Sequence, residues 1–175
     1  VHGKAHGYGE FKHQSGAIYK GMWFTDKQHG QGYEVWPDGS SYEGNYVQGI
    51  KNGFGFNRWA DGSQYVGNWV DNEIHGFGHY KWVDGRQYIG NWIQNVKSGY
   101  GVFKWPDSRE YEGFFKQDNK HGYGIYTYKD KSRYLGTWFN NKQHGFGIYE
   151  SSTGKRNFGC WRQGKPSDVI EPDVV

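Results

Sequence analysis

The sequence predicts an all-β fold, an elongated single-sheet meander of about seven 23-residue β-hairpins, and three observations carry the prediction. A pattern His-Gly-x-Gly, with Asn or Ser sometimes replacing His, starts at His6, His29, Asn52, His75, Ser98, His121 and His144, a step of 23 residues each time. A second pattern, Tyr-x-Gly-x-aromatic, keeps the same step from Tyr19–Trp23 to Tyr134–Trp138, and its seventh copy opens on Asn157 but retains Gly159 and Trp161. The third observation is composition. The chain has 29 glycines and is 20% aromatic. Glycine costs about 1 kcal/mol relative to alanine inside a helix, which argues against long helices. A mean hydropathy of -1.01 resembles that of a disordered chain, but disordered chains are poor in aromatics and carry high net charge, whereas the formal charge here is +3.

Within one repeat, the residues after His-Gly-x-Gly form the first strand, for example Phe77 to Val83. Asp84-Gly85 is the turn, repeated as Asp38-Gly39 and Asp61-Gly62 and weakened to Asp107-Ser108 and Asp130-Lys131. The returning strand runs from Arg86 to Trp92, and Ile93 to Gly99 is the loop to the next hairpin. A turn of two or four residues places Trp92, Tyr88 and Gly90 on one surface and Tyr80, Trp82 and Ile89 on the other. Gly90 leaves room for a ring to lie flat on the backbone. Every glycine falls into one of five slots of the register. One slot holds Gly3, Gly49 and Gly164, alternating with Asp26, Asn72, Asn95, Asp118 and Asn141. Those residue types tolerate positive φ, so a left-handed position is expected in every loop. Fourteen or so strands at about 4.8 Å each make a rod roughly 65 Å long. Residues 1–164 are the array and 165–175, which hold Pro166 and Pro172 and no aromatics, read as a tail or linker.

These residues resemble the MORN (membrane occupation and recognition nexus) repeat. Tyr65, Gly67, Trp69, His75, Gly76, Gly78, Asp84 and Gly85 match its pattern nearly position for position, with Asn72 where the family carries Gly. The resemblance implies the hairpin sheet; its relatives occur in axonemal radial-spoke heads, cytoskeletal scaffolds, junctional membrane proteins and accessory regions of lipid kinases and a methyltransferase. The chain starts in mid-repeat without an initiator Met, so a longer array or an attached enzyme domain is expected.

The same register excludes several kinds of chemistry. Successive histidines of the His-Gly slot are about 9–10 Å apart, whereas zinc needs each nitrogen about 2.0–2.1 Å away; the expected role of these imidazoles is a hydrogen bond to the inter-hairpin loop. His-Gly-x-Gly is followed by no helix and cannot be a phosphate loop. No Ser-His-Asp or paired-carboxylate arrangement breaks the repeat, and Cys160 stands at a variable slot. The expectation is a non-enzyme without cofactor or metal. A single cysteine and the lack of a signal peptide or an apolar run of roughly 20 residues fit a cytoplasmic protein, of the cytoskeleton or cilium by resemblance.

Two stripes are candidate interaction sites. Trp36, Trp59, Trp82 and Trp105 share one slot, and Tyr80, Phe103, Val66 and Ile89 are expected on their face. Either these rings stack on one another to close a second hydrophobic layer, or they form a groove for a helix or extended segment of a partner protein. The loops before His-Gly carry Lys27, Lys51, Lys97, Lys120 and Lys142. They are either a solubilising edge or a site for anionic lipid head groups, partly cancelled by Asp26, Asp71 and Asp118. A charge of +3 is too small for a nucleic-acid binder. The open end strands of an array invite self-pairing into a homodimer.

Overall fold

The computed structural model describes residues 3–167, all of its regular elements β-strands. They are β1 Gly7–Lys12, β2 Ile18–Phe24, β3 Lys27–Val35, β4 Ser41–Val47, β5 Ile50–Arg58, β6 Gln64–Val70, β7 Glu73–Lys81 and β8 Gln87–Ile93. Then follow β9 Val96–Lys104, β10 Glu110–Lys116, β11 Asn119–Thr127, β12 Arg133–Phe139, β13 Lys142–Glu150, β14 Arg156–Arg162 and β15 Lys165–Ser167. All belong to one antiparallel sheet in strict sequence order. The chain divides into two compact units, Val1–Val83 with Trp92–Asn95 and Asp84–Asn91 with Val96–Val175.

Two kinds of turn alternate. Within a repeat the loop has three residues. Trp59 N–H donates to Ser63 O, and Gly62 N–H donates back to Trp59 O. Gly62 has φ +91, so the loop is a type I turn closed by a left-handed residue. Asp61 belongs there because its carboxylate accepts from the Ser63 N–H. An odd-numbered loop reverses the parity expected from a two- or four-residue turn. In β5 and β6 Trp69 pairs with Gly53, Gly55 with Gly67 and Asn57 with Tyr65; in β9 and β10 Tyr111 pairs with Phe103. The consequence corrects the face assignment. Tyr80 lies within ring contact of Tyr65 and Trp92, on the tyrosine side and not across the sheet from it. Val66 pairs with Phe56 on the opposite face, so it does not join the tryptophan row; Ile89, next to Tyr88, alternates to that opposite face too.

Between repeats, the expected loop is a two-residue hairpin turn with both residues left-handed: Asp71 and Asn72 at φ 49 and 67, Asn140 and Asn141 at φ 46 and 68. The Asx side chains also tie each turn to the previous one. Asn72 Oδ1 accepts from Lys51 N–H at 2.9 Å and Asn141 Oδ1 from Lys120 N–H at 2.8 Å. The His-Gly segment belongs to the strand and forms a bulge, with Gly30, Gly76 and Gly122 at positive φ. Lys165–Ser167, expected as the start of the tail, pairs with β14 through the turn Gln163–Gly164, whose residues have φ 52 and 84. The rest of the expected tail lies outside the described residues.

The core is one layer of rings resting on the sheet's own backbone. Tyr19, Tyr42, Tyr65, Tyr88, Tyr111 and Tyr134 are each 0% exposed. Each lies over two glycines, such as Gly67 and Gly78 beneath Tyr65, and donates its hydroxyl to a carbonyl three residues on, Tyr65 to Asn68 O at 3.1 Å. The ring of the next slot stands edge-on beside it, Trp69 at 5.4 Å and 85°. Such contacts add about 0.5–1.5 kcal/mol each beyond area burial.

Candidate partner-binding surface

Because the three-residue loop sets the parity, the tryptophan slot projects from the tyrosine face, at the loop end of each odd strand. Trp36, Trp59 and Trp82 in the first unit and Trp105 in the second are all half-buried. What separates neighbouring tryptophans is the residue two positions earlier in the strand. Tyr80 fills that space between Trp59 and Trp82, with centroids at 5.0 and 4.4 Å. In the second unit Phe103 lies 4.5 Å from Trp105, and Tyr126 stands 5.7 Å from Trp105 and 4.8 Å from Tyr128. Between Trp36 and Trp59 the corresponding residue is Asn57, which has no ring, and a groove stays open there. It is lined by Trp36, Pro37, Asp38, Lys51, Asn57 and Trp59. The local residue decides the arrangement: rings pack against one another where the space holds Tyr or Phe, and a groove stays open where it holds Asn.

The lysine stripe is not a stripe. Lys27 and Lys142 occupy one slot and Lys51, Lys97 and Lys120 the next, and alternation along a strand sends adjacent residues to opposite faces. Lys27 and Lys142 are exposed. Lys97 pairs with Asp118 at 2.6 Å. Lys51 and Lys120, expected at a lipid-facing edge, instead bury their ammonium groups among rings. Lys51 Nζ lies 5.1 Å from the Trp36 centroid, 4.5 Å from Tyr42 and 5.1 Å from Trp69, and donates to Asn57 Oδ1 at 2.9 Å. Lys120 Nζ lies 4.7 Å from Tyr126 and 4.5 Å from Trp138. Burial pushes both amines down to about 8; Glu34 opposes the shift at Lys51, and Arg109 adds to it at Lys120. The strand-pair geometry explains the placement: Lys51 is paired with Tyr46 and Lys120 with Phe115, residues of the core face.

The neighbouring repeat carries a buried acid in the same position as Asn57. Glu34 is 9% exposed and accepts from Tyr46 Oη at 3.0 Å and Gln28 Nε2 at 3.3 Å. The hydroxyl of Tyr46 is pushed well above its ordinary range by burial and by that carboxylate.

The imidazoles do not make the expected loop hydrogen bond at His29 and His144, whose Nδ1 atoms are buried without a partner. Their rings rest against Phe24 at 5.6 Å and Phe139 at 5.9 Å. No group of three or more metal-ligating side chains forms among the described residues, and Cys160 is a half-buried free thiol.

The opposite face carries a feature that sequence reasoning missed although its signal is plain. The x of His-Gly-x-Gly is aromatic in every copy but the second. In the first unit Tyr8, Phe54 and Phe77 are 76%, 59% and 58% exposed, and Tyr100, Tyr123 and Phe146 of the second are exposed as well.

The family model of the MORN repeat matches residues 1–18, 19–41, 42–64, 65–85, 88–108, 111–133 and 134–156. No curated protein sequence is significantly similar. Among solved structures, the chain is similar to the TCP domain of Drosophila melanogaster SAS-4, solved in complex with a proline-rich motif of Ana2. They share 12% identity over 89% of this chain and 84% of that one, with a TM-score of 0.56. A mutant of the TCP10 domain of Danio rerio CPAP also matches, at 13% identity over 90% and 88%, but its TM-score of 0.30 is too low to bear on the fold. At 12% identity the SAS-4 likeness concerns the fold alone.

Proposed function

The chain belongs to the MORN-repeat family, and from that premise we propose that it is a non-catalytic scaffold that binds an extended segment or helix of a cytoskeletal or axonemal protein along the tryptophan-bearing face. MORN arrays are interaction modules, and neither this repeat nor the TCP fold is a catalytic kind of fold. The observation that carries the reading is the half-buried indoles, Trp36, Trp59 and Trp82 in the first unit and Trp105 in the second, each just beyond the end of an odd-numbered strand, at the same step of the register. Tryptophan and tyrosine dominate binding hot spots because they offer large area for little lost side-chain freedom. Support also comes from the SAS-4 TCP domain, a sheet of related fold whose complex holds a proline-rich motif.

The test is a triple substitution of Trp59, Trp82 and Trp105 by Ser. Pull-down of the partner should be lost while the β circular-dichroism signal persists. A triple variant that still captures the partner would sink the proposal. For the membrane reading Lys27 and Lys142 are the exposed members of the lysine set, whereas Lys51 and Lys120 face rings and Lys97 faces Asp118. Sedimentation with anionic liposomes at several salt concentrations separates the two: binding that salt weakens would favour the membrane.

A further inference from the structure

Between Trp36 and Trp59 the ring layer of the first unit is open, since Asn57 stands in the slot that Tyr80 fills one repeat later, and the chain itself shows what completes it. Between Trp59 and Trp82 the space is taken by Tyr80, stacked on Trp59 at 29°. In the second unit Tyr126 takes the equivalent space between Trp105 and Tyr128. That second case also contains the lysine: Lys120 Nζ sits 4.7 Å from the Tyr126 centroid, with Trp105, Tyr111 and Trp138 around it at 5.8, 5.5 and 4.5 Å. Lys51 has the same surroundings, Trp36, Tyr42 and Trp69, except that Asn57 stands where a ring would close the cage. Among the described residues Asn57 Oδ1 is its one hydrogen-bond acceptor, and no carboxylate lies within ion-pair distance. An ammonium is attracted to the negative face of a ring, more strongly where water is excluded.

We propose that the Trp36–Trp59 groove is a subsite for one aromatic side chain of the partner, of tyrosine size, which inserts between the two indoles and presents its ring face to the Lys51 ammonium. It rests on the reading that this face binds an extended segment, and adds to it the chemistry of one anchor residue. The complementarity is of shape and charge together. The walls are two flat apolar rings and the floor is a cation lacking the fourth ring that its counterpart Lys120 has. Aliphatic side chains would fill the volume but add no π face to the three rings and the Asn57 amide already around the ammonium. Asp38 lines the mouth, but its carboxylate is engaged by the Ser40 N–H at 2.9 Å and the Ser40 hydroxyl at 2.6 Å.

The probe is p-cresol, the tyrosine side chain as a free molecule, added at millimolar concentration to the uniformly 15N-labelled chain. The indole N–H signals of Trp36 and Trp59 should move in a saturable way, while that of Trp105, whose gap already holds Tyr126, should not. Asn57→Tyr builds the missing ring into the chain, as at Tyr126, and should abolish the shifts; Asn57→Ala should retain them. Cyclohexanol, of similar size without a π face, should produce at most a tenth of the effect. A direct Overhauser contact between p-cresol ring protons and the Lys51 ε-methylene is expected in the unsubstituted chain, a readout that does not depend on the folding of any variant. The proposal is overturned if the two indoles do not respond, if Asn57→Tyr responds like the unsubstituted chain, or if cyclohexanol works as well as p-cresol. Those failures leave the tryptophan-row pull-down untouched, and a triple variant that still captures the partner leaves the p-cresol result standing, so the two readings fail separately.

Discussion

Substituting Gly78 by Ala tests the idea that this core is a ring laid on glycine. A methyl group at Gly78 would lie 2.5 Å from Tyr65 Cε2, with Tyr65 Oη and Cζ closer still. The three nearest atoms all belong to Tyr65, so the ring would have to lift. It has nowhere to go: Tyr65 is 0% exposed, flanked edge-on by Trp69 at 5.4 Å and Trp92 at 6.0 Å, and its hydroxyl is bonded to Asn68 O. Overpacking of this kind costs about 1–3 kcal/mol. With three atoms of the tyrosine side chain overlapped, the upper end applies. The smaller conformational freedom of Ala in the unfolded chain returns about 0.4–1 kcal/mol. The expected net loss is about 2 kcal/mol, read as a lower denaturation midpoint in guanidinium titrations followed by circular dichroism. Gly159→Ala is the internal control. It occupies a glycine slot of the seventh repeat, where Asn157 replaces the tyrosine, and an added methyl meets only Trp161 at an ordinary 3.6 Å. That substitution should change stability by less than about 0.5 kcal/mol. In a Tyr65→Ala background the Gly78→Ala penalty should vanish, a coupling that isolates the ring. Equal effects of Gly78→Ala and Gly159→Ala, or a penalty that survives removal of Tyr65, would refute the reasoning.

The buried amines set a pH dependence. Lys51 and Lys120 titrate near 8 in the folded chain and near 10.5 when unfolded. The unfolded chain therefore holds more protons between those values, and stability rises with pH across that window. With allowance for the partial exposure of both groups, the gain is about 1 kcal/mol per lysine. Tyr19 and Tyr42, pushed up to about 12 by burial, act in the opposite sense: the unfolded chain loses its phenolic protons first, and stability falls above about pH 10. Thermal midpoints should climb from pH 8 to near 10 and then drop, with the climb flattened by Lys51→Met plus Lys120→Met; a flat profile in the unsubstituted chain contradicts the buried placement. Asn141→Ala should cost about 1–2 kcal/mol, since it strains a left-handed position at φ 68 and loses the bond to Lys120 N–H, whereas Asn141→Gly, which keeps the backbone comfortable, should cost about half as much by denaturant titration.

Much of this fold is legible because the register repeats. The positions of the glycines, the left-handed turn residues and the room for a ring above Gly90 all follow from residue type at fixed spacing, since glycine, Asn and Asp report backbone conformations that other residues avoid. Gly90 and Gly101 do lie beneath Tyr88. The face assignment does not follow. Asp-Gly marks a turn without stating how many residues it contains, and a loop of three in place of two moves Tyr80 and Trp82 to the other surface. The placement of the lysines is hidden for a related reason. Lys51 and Lys142 look alike in a loop, but one slot of difference in a strand places one among aromatic rings and leaves the other in solvent.

By itself, then, the sequence determined the family, the hairpin unit and its 23-residue step, because those are properties of local spacing that every copy restates. The tertiary structure decided which side chains meet. Whether Lys51 is a surface charge or the floor of an aromatic cage, and whether Trp36 and Trp59 pack on a neighbouring ring or bound an open groove, depends on strand register and on whether Asn57 or a ring stands between the two indoles. Such contacts join positions far apart in the chain, and no local pattern encodes them.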